Sequence, residues 1–84
     1  MTFREAILSL LAERAPGKSI CPSEAARRAA GDEAWRSVLA AVRAEGRVLA
    51  AEGLIEVIKK GKPVDPETVK GVIRFRLKEA GAEA

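Results

Sequence analysis

Three helices followed by a two-stranded antiparallel hairpin, an α+β domain, is the fold class this sequence predicts, and three observations predict it. Residues 3–11 and 34–52 repeat their apolar side chains at three- and four-residue steps, the period of a helix with one buried face. Residues 54–60 and 72–77 are instead rich in β-branched side chains and alternate, the period of a strand with one covered face. Glycine and proline punctuate the segments, at Pro16-Gly17, Gly31, Gly53, Gly61 and Gly71.

Each element has its own local reason. Thr2 with Glu5 three residues on is a capping box, which starts the first helix, and Ala15-Pro16-Gly17 stops it. Lys18-Ser19-Ile20 is long enough only for an extended connector, a short third strand with Ile20 pointing inward. Cys21 then takes the cap position of a second helix over residues 22–30, with Pro22 in its first turn and Glu24 at the positive end of its dipole. Ala25, Ala26 and Ala29 permit a close crossing, Arg27 and Arg28 face out, and Gly31 ends the helix. Asp32 is the expected N-cap of the third helix, residues 34–52, which Gly53 terminates.

At 100° per residue, Trp35, Leu39, Val42, Gly46 and Leu49, with Val38 beside them, share the core face of that third helix. Trp35 reads as a core anchor rather than a platform for a stacked base. Gly46 costs about 1 kcal/mol against alanine in a helix interior, so its place in the apolar stripe predicts a close approach by another helix, with a simple kink as the alternative. In the last strand Ile73, Phe75 and Leu77 are expected to face the helices, which turns Arg74 and Arg76 to solvent. The intervening loop, residues 61–71, is stiffened by prolines, and Asp65 is expected to cap a single turn that begins at Pro66.

Composition bounds the function. A domain of 84 residues buries about 60–65% of its unfolded surface, so one small core is the ceiling. Residues 1–78 are expected to form a single domain, with residues 79–84 a flexible tail. An apolar fraction of 48% argues against disorder. Fifteen Lys and Arg against twelve Asp and Glu, net +3, exclude a histone-like polycation. With no His, no Tyr and one Cys, the chain cannot build a Ser/His/Asp triad, a His-ligated metal site or a Cys-rich zinc site. The expectation is a chain that is not an enzyme and uses no metal or cofactor. Lone Cys21 forms no internal disulfide, residues 1–11 lack the features of a leader, and no apolar run is long enough to span a bilayer. Those features lead to the expectation of a cytoplasmic chain with no membrane partner.

Helix, short extended piece, two helices and a hairpin with a basic loop is the element order of a winged helix-turn-helix domain. The junction Leu49-Ala50-Ala51-Glu52-Gly53-Leu54-Ile55-Glu56 resembles the LxxxGLIE passage from helix into wing strand found in such domains. Four longer strings, residues 20–29, 35–43, 49–57 and 60–77, resemble the small bacterial DUF3253 family, a domain of unknown function, across nearly the whole chain. The segments that carry the resemblance are Cys21-Pro22-Ser23-Glu24, Trp35-Arg36, Val42-Arg43, Val64-Asp65-Pro66, and Gly71 with Ile73-Arg74. It implies a winged-helix fold and names no ligand. Where that pattern often has proline before the Ile-Arg pair this chain has Val72, which leaves the strand start less constrained.

A winged helix can lay its third helix in the DNA major groove while the wing touches phosphates. Arg36, Arg43 and Arg47 fall on one flank of the third helix, with Ala40 and Ala44 beside them. Residues 54–78 hold Lys59, Lys60, Lys62, Lys70, Arg74, Arg76 and Lys78 against only Glu56, Asp65 and Glu67, so positive charge is concentrated on the wing. The expected DNA-binding residues are Arg36, Arg43, Arg47, Lys59, Lys60, Lys62, Lys70, Arg74 and Arg76, in a transcriptional regulator or accessory factor whose partner is double-stranded DNA. Asp32 and Glu33 oppose that reading, because they sit where such a helix first meets phosphates. Two plainer readings stand beside it: a solvated arginine face paired with Glu45 or Glu52, and wing lysines that blunt a strand edge. The alternative function is a protein-interaction module using the same helix or wing against an acidic protein partner. With no spare helix for dimerisation, the chain is expected to be a monomer or weak homodimer.

Overall fold

A computed structural model describes residues 1–78; the expected tail, 79–84, lies outside the described residues. The chain runs α1 (Phe3–Glu13), β1 (Ser19–Ile20), α2 (Pro22–Ala30), α3 (Trp35–Ala51), β2 (Ile55–Lys59), β3 (Lys62–Pro63) and β4 (Arg74–Leu77). Helix α1 begins where Thr2 and Glu5 close their capping box. The Glu5 N–H donates to Thr2 Oγ1 at 3.0 Å and the Thr2 N–H to Glu5 Oε1 at 2.8 Å. Helix α2 opens at Cys21, whose N–H donates to Glu24 Oε1 at 2.9 Å, with Pro22 in the first turn.

Helix α3 starts differently from the expectation. Asp32 does not cap it: residues 32–34 are spent turning the chain out of α2, and the cap position falls to Ala34, which has no side chain to accept a hydrogen bond. Ser37 ties the new start instead, donating its N–H at 3.1 Å and its Oγ at 2.7 Å to the Ala34 carbonyl.

The strands form one antiparallel sheet in the order β1-β4-β2-β3. The expected short strand is β1, and it sets Ile20 opposite Phe75. The hairpin is more elaborate than two strands and a loop. Lys60 and Gly61, with φ of 54° and 81°, make a two-residue turn of the type in which both central residues are left-handed. The chain therefore reverses into β3, pairing Ile58 with Pro63 and Lys59 with Lys62. Pro63 lies on the outermost strand, where a missing N–H breaks no inner ladder. Asp65 then makes the expected turn, its Oδ1 accepting from the Glu67 N–H at 2.9 Å and its carbonyl from the Val69 N–H at 3.0 Å. The last strand begins at Arg74 rather than residue 72, and Val72 is 80% exposed.

Ile7, Leu10 and Leu11 of α1, Ala25 and Ala26 of α2, Val42 and Leu49 of α3, and Ile20, Ile55, Val57, Ile73 and Phe75 from the sheet side form the core. Four expected core residues lie at its edge. Leu77 is 41% exposed, because as the last residue of β4 it lies over an open depression beside Leu11 and Pro16. Trp35, Val38 and Leu39 are half-buried, since the short α2 offers small alanines across from them. Gly46 does mark a close approach, but to a strand rather than a helix. A Cβ there would lie 2.3 Å from Phe75 Cζ.

Ion pairs fasten the helices to one another. Arg4 bonds Glu52 and lies 3.6 Å from Glu45, joining α1 to α3. Arg28 reaches Glu13 at 2.7 Å, joining α2 to α1, and Arg14 reaches Glu24 at 2.5 Å. The Arg28 hydrogen bonds hold the Glu13 carboxyl below the usual carboxylate range, and Arg4 does the same for Glu52. Burial pushes Glu24 up, but the Cys21 N–H and the Arg14 guanidinium outweigh it, and the net direction is down.

Gly46→Ala should lower the urea midpoint, because overpacking against a fully buried ring costs about 1–3 kcal/mol and better helix propensity returns only about 1 kcal/mol. The double variant Gly46→Ala/Phe75→Leu should lose less than the two single changes added together. The lowered carboxylates stabilise the folded state fully above the ordinary carboxylate range, and that contribution disappears as pH falls through their folded values. The thermal midpoint, followed by circular dichroism, should be level from about pH 7 to 5 and fall below about pH 4.

Candidate nucleic-acid interface

With Val42, Gly46 and Leu49 buried, Arg36, Arg43 and Arg47 are carried to one flank of α3. Arg43 uses that position at once, donating from Nη2 to the Gly71 carbonyl at 3.1 Å. From β2, Lys59 Nζ donates to the neighbouring Lys70 carbonyl at 2.7 Å. Helix α3, the β2 strand and the loop after β3 are thereby drawn together at Lys70-Gly71. Lys60 and Lys62 continue from Lys59 around the hairpin turn, and both are exposed. Among the described residues, Arg47, Lys60, Lys62 and Lys70 have no side-chain hydrogen bond or ion pair.

The glutamates of α3 do not neutralise this flank. Glu45 and Glu52 point to Arg4 of α1, not to the arginines of α3. Asp32 and Glu33 are exposed in the turn before α3 and form no ion pair among the described residues.

Arg74 and Arg76 are held differently. Arg76 lies directly opposite Glu56 in the β2–β4 register and bonds it at 2.6 and 2.9 Å. Arg74 bonds Ser19 Oγ at 2.6 Å and the Ser19 carbonyl at 3.0 Å, and lies 4.0 Å from Glu24. Both arginines thus brace the sheet, and a phosphate would have to compete with those partners.

Sequence reasoning missed Arg27. Adjacent residues on a helix point about 100° apart, so Arg28 turns to Glu13 while Arg27 turns to α3, its guanidinium carbon 4.4 Å from the centroid of the Trp35 ring. Arg36 lies 4.7 Å from the same centroid. The indole is therefore neither a fully buried anchor nor an open stacking platform. Only its position opposite an arginine-bearing α2 signals this, and the sequence alone does not reveal that crossing. The one cysteine, Cys21, is half-buried and accepts from Ser23 Oγ at 3.1 Å. Among the described residues, no group of three His, Cys, Asp or Glu side chains is placed to hold a metal ion. No helix among them is long and apolar enough to cross a membrane.

A family model described as "Protein of unknown function (DUF3253)" matches residues 1–78. The chain belongs to the DUF3253 family. No curated protein matches it. The match spans all seven elements of this DUF3253 domain, and several residues that carried the resemblance do structural work around the basic flank. The Val64 N–H donates to the Val57 carbonyl at 3.0 Å, Asp65 makes its turn, and Gly71 accepts from Arg43.

Arg43→Met should therefore loosen the loop more than the domain. Amide hydrogen exchange between residues 64 and 73 is expected to speed up several-fold, with the thermal midpoint nearly unchanged, since the bond is exposed and ties a loop whose local opening is separate from global unfolding. Unchanged exchange would show that other contacts hold the loop.

Proposed function

We propose that this DUF3253 domain is a winged helix-turn-helix module that binds double-stranded DNA, as a transcriptional regulator or accessory factor. The element order supports the winged-helix reading: a helix, a short strand, two helices, and a hairpin whose last strand pairs with the first. The observation that carries the DNA reading is the meeting of Arg43 and Lys59 at Lys70-Gly71. It joins the arginine flank of α3 and the lysine hairpin into one basic surface whose cations form no ion pair among the described residues.

In this reading α3 enters the major groove and the hairpin lies along the adjacent backbone. Arg36 and Arg47 reach phosphates or guanine edges, and Lys60, Lys62 and Lys70 take phosphates. Arg43 and Lys59 hold the two parts in register, while Arg74 and Arg76 brace the sheet beneath them. The outward face of α3, at Ser37, Ala40, Ala41, Ala44, Val48 and Ala51, has one polar side chain. Methyl groups let the helix approach closely but offer few donors or acceptors to base edges. Binding is therefore governed by the backbone and only weakly sequence-specific. Asp32 and Glu33 weaken it by repulsion.

The same sparse face favours a second reading, a protein-interaction module whose acidic partner packs on the alanines and pairs with the arginines beside them.

Fluorescence anisotropy with a duplex of about twenty base pairs tests the proposal. The logarithm of affinity should fall with the logarithm of salt at about −0.9 per phosphate contacted. Arg47→Glu/Lys60→Glu/Lys62→Glu should abolish binding with an unchanged melting curve, and Asp32→Asn/Glu33→Gln should tighten it several-fold. No binding at low salt would overturn the DNA reading and leave the acidic protein partner.

A further inference from the structure

Nine arginines divide into two sets by what they touch. Arg4, Arg14, Arg28, Arg74 and Arg76 each lie within 4.0 Å of a carboxylate. Arg27, Arg36, Arg43 and Arg47 do not, among the described residues. Within that second set Arg27 and Arg36 share a feature the others lack: both guanidiniums lie against the Trp35 ring, at 4.4 and 4.7 Å from its centroid. One comes from α2 and the other from α3, and both side chains are exposed.

We propose that Arg27, Trp35 and Arg36 form a clamp for a phosphate group, and that in the DNA-binding reading, on which this deepening rests, it grips the backbone at the α2–α3 junction. A guanidinium attracted to an indole keeps its N–H edge available, and that edge suits a phosphate bidentately. Holding it against the ring also removes much of the rotamer freedom that a free arginine loses on binding. With both guanidinium carbons that near one centroid, the two forks are at most about 9 Å apart, within reach of two consecutive phosphodiesters. Asp32 and Glu33 lie in the turn that leads into Trp35, yet neither forms an ion pair with Arg27 or Arg36. They tune the clamp by repulsion and leave both forks open. The clamp adds Arg27 and α2 to the interface, so α3 is held by backbone contacts at its start as well as along the hairpin side.

Trp35 is the sole tryptophan, so its emission reports the clamp directly. Wild type and Arg27→Gln would be titrated with the same duplex over a range of salt, and separately with inorganic phosphate at constant ionic strength. Arg27 is exposed on α2, and a melting curve shows whether the variant is folded. The expected result is a saturating change of Trp35 emission with duplex in wild type. In Arg27→Gln, affinity should fall roughly tenfold and the salt slope should become shallower by about 1. Duplex binding with Trp35 emission unchanged, or with affinity and slope unaltered in Arg27→Gln, would overturn the clamp and leave the DNA reading standing. A response to inorganic phosphate in wild type but not in Arg27→Gln, with no duplex binding, would support the clamp as a site for free phosphate and overturn the DNA reading. No response to either would overturn both.

Discussion

Phe75 lies so close over Gly46 that any Cβ there would push its ring aside, and this contact fixes how α3 sits on the sheet. The ring is fully buried, with Val42 and Leu49 of the same helix face buried nearby. Once position 46 faces the sheet, the rest of α3 follows from the helical period. Arg43 and Arg47 are carried to the flank nearest the hairpin, and Glu45 and Glu52 to the flank nearest α1. A rotation by a single residue, about 100°, would carry the arginines off the hairpin flank and move Gly46 out from under Phe75.

That orientation sorts the charges. Arg4 stands beside the acidic flank of α3 and takes both of its glutamates, Arg28 takes Glu13, Arg14 takes Glu24, and Arg76 takes Glu56 across the sheet. The exposed pairs among these add little to stability, yet each pair removes a carboxylate from circulation. A chain of net charge +3 can thus present a basic surface much stronger than its total suggests. Asp32 and Glu33 remain as the counterweight, at the edge of that surface.

The helices and two of the strands were legible because their signals are local. The Thr2/Glu5 capping box, Pro22 after Cys21, and left-handed Gly31 and Gly53 act within a turn of their own position. The short strand at Ser19-Ile20 could be read from chain length between two stops. The β3 strand could not, because a Lys-Gly turn is a weaker signal than Asn-Gly and the strand spans only Lys62–Pro63. Asp32 misled as a cap because cap preference is local, whereas the length of the α2–α3 turn is set by how the two helices cross.

Of the candidate site, the residue types and the concentration of charge on α3 and the hairpin were in the sequence. Which arginines are committed was not. Arg76 meets Glu56 only through the strand register, Arg74 meets Ser19 only because β1 pairs with β4, and Arg27 meets Trp35 only where α2 crosses α3. By itself the sequence determined the elements other than β3, their order, most of their buried faces and the sign of the surface, since these depend on neighbours within about one helical turn or one strand. The tertiary structure decided which charges are paired, which are exposed and that Arg27 joins them. Hydrogen bonds and salt bridges form over a few ångströms of space, and the partners here lie up to 55 residues apart along the chain.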